Sequence, residues 1–168
     1  MLSDVPAMLA YLADLGLAAR THEHPPVFTV EEAAQHTAHL PGGHTKNLFL
    51  EDKAGGFWLV TCLDRQVVKI NGLSRLLDVP RFRFATPERL LELLGVEPGS
   101  VTPLALVNDE AHRVNVVFDQ KMLALPELNF HPLRNTATTT LATADFLRFV
   151  EATGHDPLTV DLDLTLTS

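Results

Sequence analysis

A paired glycine, Gly42-Gly43, runs directly into His44-Thr45-Lys46-Asn47-Leu48-Phe49-Leu50, so a tight turn feeds an apolar strand with a lysine at its entrance. Alternation along a strand sends successive side chains to opposite faces. If Leu48 and Leu50 face one way, Lys46 lies on the same side and Asn47 on the other. A lysine on the core-facing side of a strand is costly unless it meets an anion or lines a cleft. The plain alternative is a strand-end lysine that reaches into water along its own stem.

The rest of the chain limits what can surround that strand. Its 168 residues suit one domain with one substantial core. No apolar run approaches the ~20 residues of a membrane span, and Met1 to Pro6 has no basic region leading into an apolar stretch. Cys62 is the only cysteine, which excludes an internal disulfide and fits a reducing, cytoplasmic setting. The net charge of −8 argues against non-specific nucleic-acid binding by the whole surface. Between Lys46 and Arg89, however, eight basic side chains face five acidic ones. That distribution suits a local contact with one RNA arm, with Arg81 and Arg83 as candidate contributors, as well as it suits scattered solvated arginines.

Apolar spacing over Asp4–Leu15 predicts a helix stopped by Gly16. Arg20–His24 reads as a short strand, and Thr29 with Glu32 three residues later is a capping box for a helix to about Thr37. Phe49–Leu50 and Phe57–Leu63 read as strands around Asp52-Lys53-Ala54-Gly55-Gly56. Lys69–Leu77 reads as a helix and Arg81–Ala85 as a strand. Thr86-Pro87 opens a further helix that Gly95 ends. Leu104–Asn108, Val114–Phe118, Leu128–His131 and Thr138–Leu141 read as strands. Thr143 is the expected cap of a last helix, which places Phe146, Leu147 and Val150 in the core and ends at Gly154. Short strands interleaved irregularly with helices predict a single α+β domain on a mixed sheet. No dinucleotide or Walker-type glycine loop is present, so no nucleotide cofactor is expected.

His22-x-His24 and His36-x-x-His39 could each pair two imidazoles, but no His-Glu-x-x-His or cysteine pair accompanies them. No metal is expected. Cys62 lies in the apolar run Trp58–Leu63 and reads as a buried thiol rather than a nucleophile. Ser74 and Ser100 lack a Gly-x-Ser-x-Gly elbow. What remains is polar groups at strand ends and turns: Lys46, Asn47, the loop Gly99-Ser100-Val101-Thr102-Pro103, and Phe130-His131-Pro132-Leu133-Arg134-Asn135-Thr136. Such a site would bind an anion by lysine and place water by backbone groups, catalysing by orientation and electrostatics.

In order along the chain, His24-Pro25-Pro26-Val27-Phe28-Thr29-Val30-Glu31-Glu32-Ala33, Lys46–Leu50, Phe57–Val60, Gly99–Leu106 and Asn129–Thr139 resemble the YbaK-type aminoacyl-tRNA deacylases. The likeness spans about residues 20–162 and is strongest to free-standing prolyl-tRNA editing proteins of the PrdX or ProXp-ala kind. It implies one domain over residues 1–168, with a mixed, mostly antiparallel, barrel-type sheet surrounded by helices. It implies hydrolysis of alanine wrongly attached to proline tRNA, without a cofactor. The partners implied are the acceptor end of that tRNA and, further off, prolyl-tRNA synthetase or an elongation factor. By the likeness Lys46 matches a strand lysine that holds the phosphate or ribose of the terminal adenosine. Gly99 and its loop, with Ser100, Val101, Thr102 and Pro103, would place the ester and the attacking water. Asn47, His131 and Asn135 match pocket-lining positions. A relative that clears cysteine from proline tRNA, and a non-catalytic tRNA- or synthetase-binding module, are the rival readings.

Overall fold

The structure is a computed structural model that describes residues 1–167. Eight strands form one sheet: β1 (Arg20–Glu23), β2 (Gly43–Asp52), β3 (Phe57–Leu63), β4 (Phe82–Phe84), β5 (Val114–Asp119), β6 (Glu127–Phe130), β7 (Ala137–Ala142) and β8 (Leu158–Val160). Six α-helices accompany them: α1 (Val5–Asp14), α2 (Val30–Thr37), α3 (Ile70–Leu77), α4 (Pro87–Leu94), α5 (Gln120–Leu123) and α6 (Thr143–Ala152). The sheet order is β1-β7-β6-β2-β3-β5-β8, with β4 paired to β2.

This is the expected α+β fold on a mixed sheet, but the sheet is open. β1 and β8 are its edges, so the barrel-type closure is corrected. The sheet is mostly antiparallel as expected, with four of the seven pairings among the described residues antiparallel and β2–β6, β3–β5 and β5–β8 parallel. Only the first two residues of β2 pair with β6, Gly43 with Leu128 and His44 with Asn129. From Thr45 onward it pairs with β3 instead, and its last residues also take β4. Gly42 makes the close approach possible. Its φ is +90°, and a Cβ there would lie 2.7 Å from the Glu127 carbonyl oxygen.

The alternation expected for β2 holds. Phe49 packs with Phe57 and Leu59 into the larger core, under Met8 and Leu12 of α1, Leu90 and Leu94 of α4, and Phe146 and Phe149 of α6. Leu50, Trp58, Val60 and Cys62 point the other way, into a smaller core closed by Leu73 of α3 and Leu162. The helix starts at Thr29 and Thr86 follow the expected chemistry, each hydroxyl accepting from the backbone N–H three residues on, and the Asp4 carboxylate does the same for α1, where no cap was expected. Glu32 completes the box at α2 one residue early, accepting from Phe28 N–H at 3.2 Å.

Three local expectations are corrected. Pro103–Asn108 is a 3₁₀ helix and not a strand. Pro103 has no N–H to give a ladder, and the Thr102 hydroxyl accepts from Leu104 N–H. Thr143 lies inside α6 and its hydroxyl donates to the Leu125 carbonyl, so it does not cap the helix. On α6, Phe149 is buried and Leu147 is exposed, the reverse of the expectation for Leu147. β8, α5 and a second 3₁₀ helix at Leu162–Leu166 had no clear sequence signal, being short and irregularly patterned.

Candidate functional site

A cleft of about 420 Å³ opens where β2 and β6 part. The parallel ladder between them ends after His44, and the Thr45 hydroxyl donates to the Asn129 carbonyl where the next ladder bond would fall. Beyond that point β2 contributes Lys46 and Asn47, β6 leads to Phe130 and His131, and α2 forms the opposite wall. Ligand sites at the carboxyl ends of diverging parallel strands follow the same geometry in open α/β sheets.

Lys46 borders the cleft half-buried and stands opposite Cys62 in the β2–β3 register. Among the described residues it makes no ion pair. A cation held half-buried without a carboxylate is set to meet an anion from outside. Cys62, behind it, is fully buried, and burial pushes its thiol up to about 11. It is therefore a protonated core residue and a poor nucleophile.

Asn47 also borders the cleft, yet its amide is engaged. Its Nδ2 donates to the Val101 carbonyl at 3.0 Å, and its Oδ1 accepts from the Thr61 hydroxyl at 2.7 Å. It ties the loop that follows α4 to the centre of the sheet. In that loop Gly99 and Val101 reach the cleft. Gly99 has φ +88°, and a Cβ added there would lie 3.0 Å from Cδ1 of Phe28. Ser100, Thr102 and Pro103 are buried behind the cleft surface, where Thr102 and Pro103 start the 3₁₀ helix. Asn135 is buried too, and its Nδ2 donates to the Val27 carbonyl at 2.7 Å.

His131 lies on the cleft wall between β6 and β7. Its Nδ1 is 3.1 Å from the Ala137 carbonyl oxygen, so that nitrogen carries the proton and donates. Burial pushes its pKa below the usual histidine value. The Ala137 bond pulls upward, and the nearby His24 pushes it down further. The ring is therefore neutral near pH 7 with Nε2 as an acceptor.

The four histidines of the two sequence pairs cluster, but across the pairs: His22 and His39 rings are 5.2 Å apart and His24 and His36 stack at 6.0 Å, while His22 and His24 lie at 6.2 Å. Both His24 nitrogens are already engaged, Nδ1 with the Pro25 carbonyl and Nε2 with the Thr138 hydroxyl. Among the described residues no three histidine, cysteine or acidic side chains converge as metal ligands. No helix there is long and apolar enough to cross a membrane.

Sequence reasoning did not single out the α2 wall or Arg65. Ala33, Ala34, Thr37 and Ala38 of that wall are small residues at i and i+4 spacing, a signal legible in retrospect. Arg65 joins the rim only because the turn after β3 brings it back beside β2.

A model of the aminoacyl-tRNA editing domain matches residues 24–149. The bovine prolyl-tRNA synthetase associated domain-containing protein 1 is 45% identical over 157 residues, covering 90% of this chain and 91% of that protein. The prolyl-tRNA editing protein ProX of Acetoanaerobium sticklandii is 31% identical over 157 residues, covering 93% and 96%. A solved structure described provisionally as a trans-editing enzyme for prolyl tRNA synthetase superposes with a TM-score of 0.70, at 23% identity over 96% of this chain and 98% of that one. With three-quarters of its length inside the family model and a fold that superposes end to end, the chain belongs to the aminoacyl-tRNA editing domain family.

Proposed function

We propose that the protein is a free-standing deacylase that hydrolyses alanyl-tRNA(Pro). The observation that carries this reading is the cleft itself: an unpaired Lys46 at one wall, Gly99 at another, and a face of alanines and one threonine on α2. The small side chains of that wall leave room for an aminoacyl group beside Lys46. Excluding the larger proline there is the second sieve that editing needs when a synthetic site cannot reject a smaller substrate.

Lys46 would hold the phosphate or ribose end of the terminal adenosine by a charge-assisted contact. The backbone at Gly99 would sit against the ester. Water attacks the ester carbonyl carbon, and the bond to the ribose oxygen breaks. The proton lost by the water ends on that oxygen, giving free alanine and uncharged tRNA. Neither serine nor cysteine lines the cleft, and orientation and electrostatic placement carry the step in this reading. Neutral His131, which borders the cleft with no protein partner for Nε2 among the described residues, is placed to accept a hydrogen bond from the water or from the substrate ammonium.

The test is deacylation of proline tRNA charged in parallel with alanine, cysteine and proline. Preferential hydrolysis of the alanyl ester supports the reading. Preference for the cysteinyl ester would move the protein to the cysteine-clearing class, and hydrolysis of none would leave a binding module.

A further inference from the structure

The largest exposed aromatic surface of the chain stands at the mouth of the cleft. Phe28 is 69% exposed, although it borders the same cleft as Lys46. The peptide that leads into it is held at both of its polar atoms. Buried Asn135 holds the carbonyl of the preceding Val27, and Glu32 accepts from Phe28 N–H. One edge of the ring lies against Gly99, where any Cβ would crowd it. The rest of the ring is open to water beside the cleft, an apolar face that a ligand in the cleft can cover.

We propose that Phe28 is the platform on which the terminal base of the RNA's single-stranded 3′ end stacks. This rests on the deacylase reading above and adds the residue that positions the nucleic acid. The cleft rim supplies the other half of a single-strand site. Exposed Arg65 and half-buried Lys46 border it without an ion pair among the described residues, against one carboxylate there, Asp64. Aromatic faces that take bases beside cations that take phosphates are what single-strand recognition requires, and the stacking tolerates any base. With the base on Phe28 and its phosphate at Lys46 and Arg65, the ribose ester between them falls at Gly99. The crowding of Gly99 against Phe28 then has a second consequence, since it sets the height of the platform over the reacting ester.

The experiment uses an uncharged RNA oligonucleotide ending in CCA, with its terminal adenine replaced by fluorescent 2-aminopurine, together with steady-state kinetics on alanyl-tRNA(Pro). Wild type should quench the fluorophore on binding. Phe28→Ala should abolish the quench and raise KM about tenfold, on the order of 1.4 kcal/mol, with kcat within about twofold. Phe28→Tyr should restore both, and Phe28→Leu, apolar but without a ring face, should restore neither. Because the side chain is exposed, thermal melts of all three variants should match wild type. Equal quenching by Phe28→Ala, full rescue by Phe28→Leu, or no quenching by wild type would overturn the platform. If wild type hydrolyses no charged tRNA, the deacylase reading falls, while the quenching series still decides the platform.

Discussion

His131 and His155 show how one side chain serves two opposite purposes in this fold. His155 is sealed: its side chain is 2% exposed, Nε2 is 2.9 Å from Oδ2 of Asp109, and Nδ1 is 2.8 Å from the Thr153 hydroxyl. Asp109 is just as sealed and also accepts from Val114 N–H and Arg113 N–H. Burial alone would raise its pKa. The bonds from His155, Val114 and Arg113, with the His155 charge, outweigh that and hold it below the usual carboxylate range. His131, in contrast, borders the cleft with one nitrogen tied to the backbone and no protein partner for the other among the described residues. A fully satisfied imidazole locks two segments together, whereas one left half-satisfied beside a cavity is available to a substrate.

The strongest way to break this comparison is to remove Asp109. Asp109→Ala leaves the buried His155 unpaired and should cost about 3–5 kcal/mol of stability, read as a lower urea midpoint, with the rate per folded molecule unchanged. Its pH dependence has a definite sign. Because the folded pKa is depressed below 3.8, the stabilisation is fully present above that value and is lost as pH falls through the folded pKa. The urea-stability gap between wild type and variant should therefore be flat from neutral to weakly acid pH and shrink below about pH 4. A large loss of deacylation in still-folded Asp109→Ala would show that the two regions are coupled.

Lys46→Ala should have the converse outcome. Losing a charge-assisted contact made in the transition state should cost at least ~2 kcal/mol, over tenfold in kcat/KM, with an unchanged melt. Near-wild-type turnover would remove Lys46 from the site. A smaller change is expected of His131→Gln, a fall in rate of about tenfold, or ~1.4 kcal/mol. In wild type the rate should stay level near neutral pH and decline only as pH drops below the ordinary histidine range. Protonation then removes the Nε2 acceptor, because burial has lowered that pKa. A wild-type rate that instead falls between pH 8 and 7 would assign the titration to another group.

Arg83 of β4 and Arg81 just before it lie outside the cleft lining. The sequence places Arg81 and Arg83 within its most basic stretch, yet β4 pairs with the far end of β2, at Leu50–Asp52, and Arg83 is engaged with Glu51 at 2.9 Å. Neutralising both should weaken tRNA binding by less than about twofold, as expected for exposed charges away from the cleft, one of them already paired, whereas Arg65→Ala should weaken it more. An equal or larger loss from the β4 pair, measured at low salt, would put the RNA on that side. The smallest effect is expected from exhaustive chelation with EDTA, which should leave deacylation unchanged. Loss restored by zinc would instead bring His22, His36 and His39 into the mechanism.

The elements that were legible from the residues are those set by local rules. The caps at Thr29 and Thr86 satisfy orphan N–H groups within three residues of themselves, and Gly95 takes the left-handed stop of α4 with φ +69°. The alternation of Leu48, Phe49 and Leu50 fixes which core each enters. Periodicity failed where a run is short and buried on every side. Leu104–Leu106 is apolar enough for a strand, and only the Thr102 cap and Pro103 turn it into a 3₁₀ helix.

The site divides along the same line. Lys46 was conspicuous in the sequence because a cation entering an apolar strand calls for a partner, and a short-range pattern suffices to show it. Which groups face it was decided by the tertiary structure. Lys46 meets His131, Gly99 and the α2 wall only because β2 leaves β6 after two ladder residues. Asn47 and Asn135, expected as pocket-lining positions, hold the backbone at Val101 and Val27, and of the two Asn47 borders the cleft. A polar side chain has the same identity whether it faces a cleft or satisfies a distant carbonyl. The choice depends on contacts more than fifty residues apart, which no local pattern encodes.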